Sequence, residues 1–309
     1  MKKAFKKLKK TDFSNHDCFL AVVSEYKKNR ESKYSIKYVK IEEKLQKRLK
    51  RILLKKVETA NSFEEYTYDC PDPEGDQVRA INYASTDFYA IHTTLVDINP
   101  EVDVIENVSE LLKTKSYMII LRDEKGISLV GFKKLIENWK LKHSKGWIPL
   151  FFDEEMFKDL EQTDVFNISS TIDFFYFEEA LMILNKKNFE TSLNFREGML
   201  SKANDFYESA IEEKLFDNIE ILKSKVGNNQ RYLRKIATIV NLGYYQNQDY
   251  INKLKKIAKK RGWNISIKKG QFVLTEDNLE DVLTVLQNKR LHSELTDETF
   301  DISSGKKVE

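Results

Sequence analysis

Apolar and polar positions change their period several times along this chain, and each change marks an element. Residues 18–24 (CFLAVVS) form a short apolar run that predicts a buried strand. From Tyr34 to Ile41 large apolar residues alternate with lysines, which predicts a half-exposed strand. Beyond Ile41 the period lengthens. Ile41, Leu45, Leu49, Ile52 and Leu53 share one helical stripe, with Arg48, Arg51 and Lys55 on the opposite side. That helix is expected to end near Val57, and the acidic, turn-rich stretch over 58–79 to be a surface loop. Alternation over 87–97, 117–121 and 127–132 predicts further strands. The last two join in a hairpin through Asp123, Glu124, Lys125 and Gly126. A short helix from Phe132 to Leu141 and the polar run KHSKG then suggest a division into 1–147 and 148–309.

The second half starts with a strand over 148–152, and Asp153 is placed to cap a short acidic helix. Residues 165–169, 172–177 and 180–184 predict three strands joined by tight turns. After Phe195 the pattern is helical: 196–226 with one or two breaks, 229–241, and 248–261. A hairpin (NISIKKGQFVLT), a helix over 277–288 and a short tail complete the chain. The fold class is α+β: a mixed, largely antiparallel, sheet-rich N-terminal part followed by a helical C-terminal part with a β-hairpin.

Composition allows one large or two ordinary domains: 309 residues, 41% of them hydrophobic, which supports a packed core. Two cysteines are too few for a disulfide framework, so a reduced, cytoplasmic protein is expected. No segment approaches the roughly 18 apolar residues of a membrane span. The leading MKKAFKKLKK reads as a frayed basic arm.

Charge changes the picture more. The formal net charge is only +3, yet it is segregated. Residues 27–56 carry 13 Lys and Arg against three acids, and 226–292 carry 13 against five. Blocks of one sign create local potentials that a near-zero total conceals, and they suggest contact with a polyanion. The plainer alternative is a set of solvated helix faces.

Candidate chemistry is sparse. There is no G-x-x-x-x-G-K-[ST], G-x-G-x-x-G or G-x-S-x-G, which argues against nucleotide-driven work and serine-hydrolase chemistry. The four histidines are scattered and complete no known metal-ligand spacing, so neither a metal nor a cofactor is expected. Asp173, with Glu178 or Glu179, weakly resembles a Mg²⁺-dependent nuclease set. The following strand ends in Leu184-Asn185-Lys186, however, and lacks a Glu-x-Lys. Asp173 is more simply a turn residue capping local backbone donors. The aromatic run Phe174, Phe175, Tyr176 and Phe177 could stack bases, but consecutive strand residues face both ways and core packing suits them better.

The C-terminal third is the most specific region. Arg231, Arg234 and Lys235 lie off the apolar stripe of one helix. On the next, Lys253, Lys256 and Lys260 stand three and four apart in one row, widened by Lys255, Lys259 and Arg261. Lys268 and Lys269 then mark a hairpin tip closed by Gly270. The order helix, basic helix, basic hairpin resembles a winged helix, or equally a helical pair packed on a hairpin. Lysines contact phosphate as point charges and read few base edges. The expected DNA-binding residues are therefore Arg231, Arg234, Lys235, Lys253, Lys256, Lys259, Lys260, Arg261, Lys268 and Lys269, with Arg48, Arg51 and Lys55 from the first basic block.

The runs IPLFFDEEMFKDLE, IDFFYFEEALMILNKKNFE and LQNKRLHSELTDETFDISSGKKV resemble the B-protein family of the Kiwa anti-phage system, over roughly residues 148–309. The resemblance implies a cytoplasmic, dimeric defence effector that binds DNA with little sequence preference and does not cut it. It also implies a transmembrane partner, KwaA, that holds the protein at the inner face of the membrane, and inhibition by phage proteins that mimic DNA. Together with the charge pattern, this gives a non-enzymatic DNA binder that blocks replication or transcription. The rivals are a Mg²⁺-dependent nuclease and an adaptor whose basic faces meet an acidic protein or anionic lipid.

Overall fold

The computed structural model describes residues 1–28, 31–68, 70–135, 150–153, 156–159, 168–227 and 229–302. It has two compact units: Met1–Glu65 with Asp72–Leu193, and Tyr66–Pro71 with Asn194–Glu309. The expected division after residue 147 lies outside the described residues. The units part later because the strands around 174–183 complete the sheet of the first one.

In chain order the first unit contains α1 (Lys2–Leu8), β1 (Asp17–Lys28), β2 (Glu31–Val39), α2 (Glu43–Thr59), β3 (Ser62–Glu65), β4 (Gln77–Asn82) and α3 (Phe88–Asp97). It continues with β5 (Ser116–Asp123), β6 (Gly126–Lys134), β7 (Leu150–Asp153), β8 (Met156–Asp159), β9 (Phe174–Phe177), β10 (Ala180–Ile183) and α4 (Lys186–Ser192). Eight strands form one sheet in the order β2-β1-β5-β6-β9-β10-β4-β3, antiparallel except for β3 with β4.

Both faces of this sheet are covered, which explains its central strands. One face buries Leu20, Val22, Tyr117, Ile119, Leu121, Phe175, Phe177 and Met182 against Leu49, Leu53 and Val57 of α2. Backbone and helix approach closely here: a Cβ at Gly131 of β6 would lie 2.6 Å from Leu53 Cδ1. On the other face Phe132 stacks on Phe174 with centroids 4.5 Å apart, and Phe88 of α3 and Phe189 of α4 meet Phe174 edge-on. The four aromatics of 174–177 are thus all core, two to each face, as period-2 alternation requires.

Several expectations need correction. The N-terminal lysines are not a frayed arm: Ala4, Phe5 and Leu8 dock α1 into the core. Lys9 Nζ then donates to Val57 O and Glu58 O at 2.8 Å, placing a cation at the carbonyl end of α2. The 58–79 stretch is not all loop, because it supplies β3 and the start of β4. Residues 88–97 are helix rather than strand, since Phe88, Ile91 and Leu95 at helical spacing carry the buried face. β6 continues through Lys134 where a helix was expected to start; the rest of that helix and the KHSKG run lie outside the described residues. Asp153 caps no helix; it closes strand β7, which pairs with β8. The expected strand over 165–169 lies mostly outside the described residues, and Ile168 and Ser169 are not strand. Helix α4 and the C-terminal hairpin described below were not foreseen.

Asp173 is a structural centre and not a simple turn cap. Its side chain is 1% exposed and accepts from Lys133 Nζ (2.8 Å), Lys134 N (2.8 Å) and Asn188 Nδ2 (2.9 Å). Its backbone N–H donates to Phe132 O, and its carbonyl accepts from both Leu184 N and Asn185 N. One residue therefore ties together the end of β6, the entry to β9, the exit of β10 and helix α4.

The second unit contains α5 (Phe195–Glu212), α6 (Ile219–Val226), α7 (Gln230–Leu242), α8 (Gln248–Lys260), the hairpin β11 (Ser266–Lys268) and β12 (Gln271–Val273), α9 (Leu279–Leu286), and the hairpin β13 (Arg290–Ser293) and β14 (Glu298–Asp301). Asn218, Asn229 and Asn247 cap α6, α7 and α8 with side-chain hydrogen bonds, so helix starts are written locally in the sequence. Phe206, Leu222, Leu233, Ile236, Ile251, Phe272 and Leu283 share one core. The whole is α+β, sheet first and helices after.

Replacing Asp173 with Ala should destabilise the protein by about 3–5 kcal/mol, because Lys133 would keep a largely buried charge without its partner. Urea denaturation at neutral pH measures this. An unchanged midpoint would show that the carboxylate does not hold the sheet together.

Candidate nucleic-acid interface

The basic residues singled out by the sequence fall into three structural classes. In the first, on α8, the core-facing stripe is Ile251, Leu254 and Ala258. Lys253, Lys256, Lys259 and Lys260 are all exposed away from it. Lys268 and Lys269 at the β11–β12 tip are exposed as well. Among the described residues none of these six ammonium groups has a hydrogen-bond or ion-pair partner. From Lys253 to Lys260 the helix rises roughly 10 Å. That is about three steps of one DNA strand at about 3.4 Å each.

The tip is fixed relative to this row. Lys255, expected to widen the row, is half-buried: its ammonium donates to Gly270 O and lies 5.3 Å over the Phe272 ring. Burial lowers its pKa from the ordinary lysine value. Lys255 is thus an anchor that fastens the hairpin to α8. On its other side the hairpin is stitched to the segment after α5. Phe272 N donates to Leu215 O at 2.9 Å, Asp217 N to Phe272 O at 3.0 Å, and Gln271 Nε2 to Phe216 O at 2.9 Å.

The turn itself is informative. Lys269 and Gly270 have φ of +49° and +80°. Two-residue hairpin turns with both φ positive favour Asn-Gly. A lysine in the left-handed region costs about 1 kcal/mol. A cation therefore occupies a position where an uncharged residue would fit the backbone better.

The second class is engaged internally. Arg231 Nη2 donates to Glu280 Oε1 at 2.8 Å, and Lys235 pairs with the same carboxylate oxygen, linking α7 to α9. Arg234 is half-buried and also has an intramolecular partner. Arg261 Nη1 lies 3.0 Å from Asp297 Oδ1, at the turn of the β13–β14 hairpin. The third class, Arg48, Arg51 and Lys55, is exposed on α2 in the other compact unit. The neighbouring Lys50 is structural, donating to Ser14 O and His16 O at 2.7 Å.

Sequence reading missed Lys214. It follows the acidic end of α5, so local composition hides it, yet it lines a cleft of about 200 Å³ with Lys255, Lys269 and Gly270. Its own φ of +50° turns the chain sharply after that helix. Glu213 shares the cleft and dilutes its charge.

Asp173, the residue considered for nuclease chemistry, has both carboxylate oxygens engaged by Lys133, Lys134 and Asn188. Among the described residues no group of three or more His, Cys, Asp or Glu side chains is arranged to hold a metal ion. No helix among them is long and apolar enough to cross a membrane.

Comparison with known proteins gives one family match, to the Kiwa protein KwaB-like family, over residues 111–296. No curated protein and no solved structure matches the chain. The matched span begins before β5, earlier than the resemblance over 148–309, and ends inside the turn between β13 and β14. It includes the Asp173 junction, the α8 row and the anchored hairpin tip. With well over half of its length matched, the chain belongs to the Kiwa protein KwaB-like family and is a Kiwa defence-associated protein.

Proposed function

We propose that the chain is a non-enzymatic DNA-binding effector that grips the phosphate backbone through α8 and the β11–β12 tip. The observation that carries this reading is the set of six exposed lysines without internal partners, held in a fixed relation by Lys255. Cations are thus presented along a length comparable to three phosphate steps. Lysines give charge without a planar fork, so contacts of this kind favour backbone over bases. The engagement of Asp173 within the fold favours binding over cleavage at that residue.

Blocking replication or transcription of phage DNA is the mechanism that sequence-independent coating would provide. The same proposal includes a homodimer, a transmembrane partner (KwaA) that brings the protein to the membrane, and inhibition by phage proteins that mimic DNA. Arg48, Arg51 and Lys55 on α2 supply phosphate contacts of their own in the first unit, whereas Arg231, Lys235 and Arg261 act mainly within the fold.

Fluorescence anisotropy on unrelated duplexes tests the reading. With about six phosphates neutralised, log K should fall against log salt with a slope near −5. A flat salt response, or strong preference for one sequence, overturns it. Changing Lys253, Lys256 and Lys260 together to Glu should flatten the slope by about three and leave the circular dichroism spectrum intact. Unchanged affinity would reduce the row to a solvated face.

The tip yields a separate prediction. Lys269→Asn should preserve the fold or stabilise it by up to about 1 kcal/mol, because Asn tolerates the left-handed conformation. The same change should weaken DNA binding and flatten the salt slope by about one. Thermal denaturation and anisotropy on the same protein separate the two effects.

A further inference from the structure

The cleft of about 200 Å³ beside the β11–β12 tip lies wholly within the second unit. One wall is the stripe Gln248, Ile251 and Lys255 of α8, which rises roughly 10 Å along the helix. Lys269, Gly270 and Gln271 of the tip stand at the Lys255 end, because Lys255 bonds to Gly270 O. Glu213, Lys214 and Leu215 form another wall, and Tyr245 lines the cleft just before α8 starts.

Three features suit this cleft to an anion entering from solvent. The first is free charge. Lys214 and Lys269 are exposed, and neither ammonium has a partner among the described residues. Lys255 is already engaged by Gly270 O, and Glu213 is the one carboxylate among the lining residues. The second is Tyr245. It is 5% exposed and meets Phe206 edge-on in the core. Its hydroxyl has no hydrogen-bond partner among the described residues, yet it is not sealed from solvent. Polar groups so deeply placed are normally bonded, so an acceptor inside the cleft would complete this one. The third is the start of α8. The first N–H groups of a helix lack intrahelical acceptors and carry the positive end of its dipole. Asn247 Oδ1 accepts the one from Tyr250. Gln248 adds a side-chain amide whose bond to Asn252 is long, at 3.4 Å.

Size narrows the ligand. The cleft is smaller than the roughly 300–1,000 Å³ of sites for whole organic ligands, so it admits a single group. Internal phosphates of a continuous duplex lie on a convex surface and meet the exposed lysines of the α8 row. A terminal phosphomonoester projects from its strand, carries a charge of about −1.5 to −2 and offers three acceptor oxygens.

We propose that this cleft receives the terminal phosphate of a DNA strand, held by Lys214, Lys269 and the Tyr245 hydroxyl. The inference deepens the DNA-binding reading above and rests on it: the α8 row holds the flank of the DNA and the cleft holds its end.

Calorimetric titration of the full chain tests it with a thymidine dinucleotide phosphorylated at its 5′ end, at its 3′ end or at neither. The three probes share the same internal diester, so any difference reports the terminal phosphate. One phosphorylated form should bind at least about tenfold tighter than the unphosphorylated one, and tighter than inorganic phosphate. Tyr245→Phe keeps the ring and removes only the unpartnered hydroxyl. The fold should survive, and the preference should fall to about threefold or less. Lys214→Asn, suited to the left-handed backbone at that position, should lower the preference similarly. Equal affinity for all three dinucleotides overturns the proposal. So does inorganic phosphate binding as tightly as the phosphorylated dinucleotide, or an undiminished preference in Tyr245→Phe. Closed circular duplex has no ends and reads the backbone grip alone, so failure of the grip and failure of the cleft are seen separately.

Discussion

The first unit depends on a charge placed where charges are rarely tolerated. Asp173 is buried between the edges of three strands and a helix, and a lone carboxylate there would be strongly unfavourable. It is stable because its oxygens are filled by Lys133, the Lys134 amide and Asn188, while its own amide and carbonyl continue the ladders of β6 and β10. Apolar contact alone could not fix this register so tightly, since hydrophobic burial is non-directional. The carboxylate selects the one arrangement in which β9 enters beside β6 and α4 leaves β10.

The second unit uses a different device for the same end. Its hairpin β11–β12 is only three residues per strand, too short to be stable alone. Phe272 pins it into the core, and Lys255 fastens its turn to α8. A lysine used in this way gives up its role as a surface cation. The cost is offset by holding Lys268 and Lys269 at a defined place beside the α8 row. The C-terminal hairpin is held similarly: Arg290 bonds to Asp301 and Asp281, and its contact with Asp301 keeps that carboxyl below the usual carboxylate range.

Burial and pairing thus sort the basic residues by role. Counting charges in sequence treats Arg231, Lys235, Lys255 and Lys256 alike. In the fold the first two share Glu280, the third is an anchor, and only the fourth is left to solvent and partners. A polyanion would meet the remainder, and the segregated charge of the chain overstates how many cations that remainder contains.

Much of the architecture was written locally. The strands over 17–28 and 31–39, helix α2, the β5–β6 hairpin and helices α5 to α9 follow from apolar period, Asn caps and two-residue turns, all of which act within a few residues. The α+β class and the exposed row of α8 followed for the same reason. What the sequence could not determine was set by contacts between distant segments. Helix α3 carries a strand-like alternation that only docking of Phe88, Ile91 and Leu95 on the sheet resolves. The lysines of α1 hide the three apolar residues that dock it. The partners of Asp173, Lys235 and Lys255 lie 15 to 45 residues away, and such pairings have no local signature. Local propensity chose the elements; tertiary packing decided which charges are structural and which are presented to a partner.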